Sequence, residues 1–160
     1  MIDVGGGDSR LVDALIERGL RCVTVLDVSH EALVRAATRL GAEGNVVSWL
    51  EADVTTDWPV HSVDFWHDRA VFHFLVAAED RLNYINRLRS SVKRRGSVVI
   101  ATFALDGPPT CSGLPVMRYA PQTLAAELGD EFVLLDDRPA QHVTPRGRAQ
   151  SFQYSRFKRV

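Results

Sequence analysis

The opening segment, Met1-Ile2-Asp3-Val4-Gly5-Gly6-Gly7-Asp8-Ser9, constrains the fold of this chain more than any other. Ile2 to Val4 reads as the end of a buried strand. After the three glycines, Leu11, Leu15 and Ile16 fall at helical spacing. A strand, a glycine loop and a helix make the first half of a nucleotide-binding βαβ unit. Gly5 and Gly7 have no Cβ, so the backbone there can turn sharply and approach a ligand closely. The second half follows at the expected distance. Val23 to Leu26 is a second strand, and it ends in Asp27. An acidic residue about 20 positions beyond the glycines is placed to accept hydrogen bonds from ribose hydroxyls. The details turn away from a dinucleotide. Arg10 stands where a third small residue is needed, and neither Asp3 nor Asp8 suits a pyrophosphate. A cationic, phosphate-free ligand tolerates both carboxylates.

The rest of the chain continues the alternation. Ser29 can cap a helix over Glu31 to Leu40, with Gly41 ending it, and Ser9 can cap the first helix, which runs to about Arg18. Val46 to Leu50 reads as a third strand, with Asp53 and Val54 just beyond it. Val63 to His67 is a fourth, delivering Asp68 and Arg69 at its end. Glu79 to Val92 is a helix presenting Leu82, Ile85 and Leu88 on one face. Ser97 to Phe103 is almost wholly apolar, as a strand buried on both faces must be. The segment from Ala104 to Arg118 reads as a long loop. Pro121 to Leu128 is a short helix, and Phe132 to Leu135 and Phe152 to Phe157 are strands joined by a turn from Pro139 to Gly147. This pattern predicts an α/β fold: a doubly wound, mostly parallel seven-stranded sheet with an antiparallel strand near its edge.

At 160 residues the chain reads as a single domain, 1–160, and its apolar fraction of 46% is enough for a real core. A net charge of -1 gives no global field that would draw it to nucleic acid. Cys22 and Cys111 have no metal-ligand spacing, no metal site is expected, and Cys22 reads as a core residue. No signal peptide or membrane-length apolar run is visible, so a cytoplasmic location is expected.

With an acidic residue, x, Gly, x, Gly at Asp3 to Gly7, and with Asp27 at the end of the second strand, the chain resembles the class I S-adenosylmethionine (SAM)-dependent methyltransferases. The resemblance implies a Rossmann-like methyltransferase fold that binds SAM and releases S-adenosylhomocysteine (SAH). It implies cofactor-binding roles for Asp3, Gly5, Gly7, Asp27, Val28, Asp53, Val54 and Asp68. Asp53 matches the residue that accepts from the adenine amino group, with Val54 and Val28 as its apolar neighbours; the plainer reading of Asp53 is a turn carboxylate. The end of the fourth strand would face the methyl acceptor, so His67, Asp68 and His73 are the catalytic candidates, His73 as a general base. The plainer reading of His73 is that it packs with Val71, Phe72 and Leu75 beneath the next helix. Arg118 and Tyr119 are candidate polar handles for the acceptor. The helical segment that usually precedes the first strand of this family is missing from the sequence, which makes weak cofactor binding and a homodimer expectations too. The implied activity is methyl transfer to an N, O or S nucleophile of a small molecule or protein side chain. Two alternatives stay open: a non-catalytic binding domain of the same fold, and a nicotinamide-dependent oxidoreductase.

Overall fold

The computed structural model describes residues 1–59, 62–144 and 147–160. In chain order the elements are β1 (Ile2–Val4), α1 (Leu11–Glu17), β2 (Val23–Asp27), α2 (His30–Leu40), β3 (Val47–Glu51), β4 (Val63–Arg69), α3 (Ala78–Ser91), β5 (Val92–Phe103), β6 (Thr110–Cys111), β7 (Leu114–Pro115), α4 (Pro121–Leu128), β8 (Phe132–Val143) and β9 (Ala149–Arg159). Seven strands form one sheet in the order β3-β2-β1-β4-β5-β9-β8. Strands β1 to β5 are parallel, and β9 runs antiparallel to both β5 and β8. The predicted architecture is therefore the observed one.

Local chemistry sets the boundaries of the elements. The Ser29 hydroxyl accepts the Ala32 N–H and caps α2, and Gly41 ends that helix at φ +56°. Pro121 opens α4, where its missing N–H costs nothing, and Gly129 closes it. Helix α1 starts differently from expectation. Its N-cap is Arg10 with no side-chain cap, and Ser9 Oγ instead accepts the N–H of Leu11.

Side-chain alternation along the strands divides the interior into two layers. Ile2, Val4, Leu26, Trp66, Val98 and Ile100 pack with Tyr84, Ile85 and Leu88 of α3 and Leu124 and Leu128 of α4. Val23, Val25 and Val47 pack with Val12 and Ile16 of α1 and Leu33 of α2. A smaller cluster of Ala101, Phe103 and Phe152 lies at the carboxyl end of β5.

Several expectations are corrected. Leu82 is 55% exposed, and α3 buries Tyr84 in its place. Residues 84, 85, 88 and 91 form the stripe that fits the sheet, so Ile85 and Leu88 are buried as expected and Leu82 falls just outside it. Cys22 is exposed in the turn before β2, where its carbonyl accepts from the amino terminus. The expected turn from Pro139 to Gly147 is shorter, because β8 continues to Val143. Pro139 is accommodated because β8 is the edge strand. Pro145 and Arg146 of that turn lie outside the described residues. The long loop after β5 folds in part into the β6–β7 hairpin. No helix among the described residues is long and apolar enough to cross a membrane.

Candidate active site

The carboxyl ends of β1, β2, β3 and β4 open into one cleft of about 350 Å³. Its walls are largely apolar: Val4, Leu26, Val28, Ala52, Val54, Val71, Phe74 and Leu75. Asp27 and Asp53, at the end of β2 and just after β3, lie on one side of β1 and its Gly5, and Arg69 and Ala70, at the end of β4, lie on the other. A concave, apolar site with a few convergent polar groups is what a small ligand needs.

The glycine loop is held by steric necessity. Gly5 has φ +67°, and a Cβ there would stand 2.1 Å from Val71 Cγ2. Gly7 has φ +32°, and its Cβ would meet Asp27 Oδ2 at 2.6 Å. A Cβ at Gly6, between them, would clash with both Asp3 Oδ2 at 2.6 Å and Val25 Cγ1 at 2.7 Å. The N–H groups of Gly5 and Gly6 both donate to the Leu26 carbonyl, tying the loop to the end of β2. Asp27 Oδ1 accepts the N–H of Ser29 at 2.9 Å, which fixes its carboxylate against Gly7 at the rim of the cleft. Asp53 Oδ1 accepts the N–H and the hydroxyl of Thr55 at 2.8 and 2.7 Å. This is a turn in which a carboxylate satisfies the backbone two residues on, so Asp53 is a turn residue and a cleft residue at once. Asp8 faces away from any ligand role: its carboxyl is held below the usual range by hydrogen bonds from Arg35 and Arg39.

Gly5, Asp27, Val28, Asp53 and Val54 thus line one cleft, while Gly7 packs against Asp27 without lining it. Asp3, His67, Asp68 and His73 do not line the cleft. Asp3 is buried beneath the glycine loop, and its Oδ1 lies 2.7 Å from His67 Nδ1, its register partner on β4. That pair supports the loop from below. Asp68 is fully buried. Its oxygens accept the N–H groups of Val71 and Phe72 and the hydroxyl of Tyr84, which in turn accepts from Trp66 Nε1. Burial pushes this carboxyl up to about 6, against the lowering effect of those three donors. Asp68 is therefore a core residue that positions the segment from Ala70 to Leu75 and does not line the cleft. His73 is fully buried among Phe74, Phe103 and Phe152. Its Nδ1 accepts the Phe103 N–H, and burial lowers its pKa to about 4. It does not line the cleft, and its surroundings are those of the packing reading. Tyr119 is likewise buried, and Arg118 donates to the carbonyls of Leu105 and Gly107, so neither serves as a handle in the cleft.

The 70–75 segment is distinctive in sequence, but its backbone conformation is not legible there. Ala70 adopts φ +70°, a left-handed conformation that is uncommon away from glycine. Its N–H donates to the Ala101 carbonyl. The turn after it brings Val71, Phe74 and Leu75 back over the cleft. The one signal for it was the apolar run after a strand end.

Residues 2–100 match the family model described as "Methyltransferase domain". The chain belongs to the methyltransferase domain family. Solved structures share its fold along 99% of its length. One is a SAM-dependent methyltransferase from Methanosarcina mazei, with 15% identity and a TM-score of 0.79 over 91% of that chain. Another is the N-methyltransferase NodS of Bradyrhizobium japonicum WM9 in complex with SAH, with 16% identity and a TM-score of 0.74 over 76% of that chain. A third is the 1,6-didemethyltoxoflavin-N1-methyltransferase of Burkholderia thailandensis with its substrate and SAH bound, with 20% identity and a TM-score of 0.76 over 70% of that chain. No curated protein matches this methyltransferase-family chain in sequence.

Proposed function

We propose that this methyltransferase domain binds SAM in the cleft at the ends of β1 to β4 and transfers its methyl group to an N, O or S nucleophile. One observation carries the reading: two carboxylates, Asp27 and Asp53, flank an apolar cleft behind a glycine loop that admits no Cβ. Carboxylates oppose phosphate but accept readily from ribose hydroxyls and an adenine amino group. The acceptor set therefore fits a nucleoside, and Arg10, standing where the dinucleotide loop needs a third small residue, disfavours a dinucleotide. SAM supplies an activated methyl group on a positively charged sulfur. The acceptor's lone pair forms the new bond to that carbon as the carbon–sulfur bond breaks, and the bonding electrons leave with sulfur. An N–H, O–H or S–H acceptor gives up its proton to solvent.

Within this reading Asp27 holds the ribose, and Asp53, Val28 and Val54 frame the adenine. Asp3 and His67 support the loop, and Asp68 holds the wall opposite it. Orientation and exclusion of water are what these residues contribute, and in-line placement accounts for much of the acceleration in such transfers. With Asp68 and His73 in the core, the reading assigns no side-chain general base. The acceptor must then be nucleophilic in its own right or lose its proton to water. Isothermal calorimetry with SAH tests the proposal. Asp27→Ala is expected to weaken binding by about 1.5–3 kcal/mol, the range for hydrogen bonds to a charged group. A folded Asp27→Ala protein that binds SAH as tightly as the wild type would remove Asp27 from the site.

A further inference from the structure

Among the described residues that line the cleft, Arg69 is the only cation. It sits at the last position of β4, on the opposite side of β1 from the strands that carry Asp27 and Asp53 at their ends. Its Nε donates to the hydroxyl of Tyr154 at 3.0 Å, and its guanidinium carbon lies 5.2 Å from the centre of the Phe152 ring. Tyr154 and Phe152 both belong to β9, two residues apart on one face of the antiparallel strand. Phe152 is buried and packed edge-on against Phe103. An exposed arginine is thus stacked on a fixed ring and held at one nitrogen, which removes much of the freedom it would otherwise lose on binding. Among the described residues no carboxylate pairs with Arg69, and neither of its terminal nitrogens has a hydrogen-bond partner.

We propose that Arg69 is a specificity residue that selects a methyl acceptor carrying a carboxylate. The inference rests on the cleft's being the SAM site. The two free terminal nitrogens form a planar fork of the kind that holds a carboxylate through two parallel hydrogen bonds. The position is consistent with an acceptor role, because Asp27 and Asp53 take the nucleoside end on the far side of the cleft. A cation in this place also opposes the positively charged donor unless an anion lies between them. The same fork chemistry has a second possible source, the carboxylate of the cofactor's own amino-acid end, and the experiment separates the two.

The test uses benzoate as a carboxylate probe and benzamide as its neutral counterpart, each added to the SAH-saturated protein while the thermal midpoint is followed. The wild type is expected to be stabilised by benzoate and not by benzamide. Arg69→Gln should weaken the benzoate response by about tenfold or more in concentration, the scale on which a charge-assisted pair is lost. Arg69→Lys, which keeps the charge but not the fork, should restore it only in part. The affinity for SAH, measured separately by calorimetry, should change by less than about threefold in Arg69→Gln, since a nucleoside held elsewhere loses no direct hydrogen bond. Equal responses to benzoate and benzamide, or a benzoate response that survives Arg69→Gln, would overturn the proposal. So would a loss of SAH affinity of about tenfold, which would hand the fork to the cofactor. A wild type that binds SAH but ignores benzoate refutes this inference alone, whereas a wild type that does not bind SAH refutes the cofactor site itself.

Discussion

Replacing Asp68 by asparagine should change the pH dependence of stability in a direction opposite to that of most carboxylates. Asp68 holds its proton up to about 6 in the folded protein, because it is sealed in the core, and its ordinary value is 3.8. Between those pH values the folded state binds more protons than the unfolded one, so stability falls as pH rises. At about 1.36 kcal/mol per pH unit, the loss between pH 3.8 and 6 is about 3 kcal/mol. His73 works the other way. Burial lowers it to about 4 from 6.5, so the unfolded chain takes up its proton first and stability falls as pH drops through that interval. Its contribution is also about 3 kcal/mol. The two largely cancel between pH 4 and 6 in the wild type. Asparagine has one amide oxygen where the carboxylate has two, so it keeps an acceptor for only one of the Val71 and Phe72 N–H groups; that loss lowers stability by a similar amount at every pH, and the titration is removed. Urea unfolding of wild type and Asp68→Asn across this range gives a difference curve that isolates the carboxyl. The variant is expected to gain about 3 kcal/mol on the wild type as pH rises from 3.8 to 6. His73→Gln should give a curve of opposite slope, losing a similar amount relative to wild type between pH 4 and 6.5. A flat Asp68→Asn curve, or one falling with pH, would mean that the carboxyl ionises in the fold without cost, and the reasoning from burial would be wrong.

Gly5→Ala combines a left-handed backbone with a Cβ only 2.1 Å from Val71 Cγ2, and should cost about 1–3 kcal/mol. Chemical denaturation of Gly5→Ala alone and with Val71→Ala should show non-additivity, since the second change makes room for the first. Tyr84→Phe leaves both Asp68 and Trp66 Nε1 short of a partner in the core, so it should cost about 1.5–3 kcal/mol at neutral pH in the same assay. Leu82→Arg should fall within about 0.5 kcal/mol of wild type because Leu82 is exposed, whereas Leu88→Ala should cost about 2–5 kcal/mol.

Much of the fold was legible because it depends on short-range chemistry. The glycine loop, the cap at Ser29 and the stops at Gly41 and Gly129 follow from backbone conformation, which neighbouring residues decide. The seven strands and their winding follow from apolar periodicity and from the short, right-handed connections that parallel sheets require. The acidic residue at the end of β2 was legible for the same reason. Its distance from the glycines is set by the length of one helix and one strand.

What sequence could not assign was the side of the sheet on which each polar residue of β4 would stand. His67, Asp68 and Arg69 are consecutive, and all three are chemically suited to a site. The pairing of Asp3 with His67 and of Val4 with Asp68 fixes the register. In a strand, neighbours point to opposite faces, so a shift of one residue exchanges core for surface. That register puts Asp68 under Tyr84 and leaves Arg69 stacked on Phe152, a residue 83 positions away that reaches it only because β9 inserts between β5 and β8. The sequence by itself determined which elements form and what kind of cleft their ends make. Tertiary pairing decided which charged side chains enter that cleft, because burial and partner are properties of distant strands brought together.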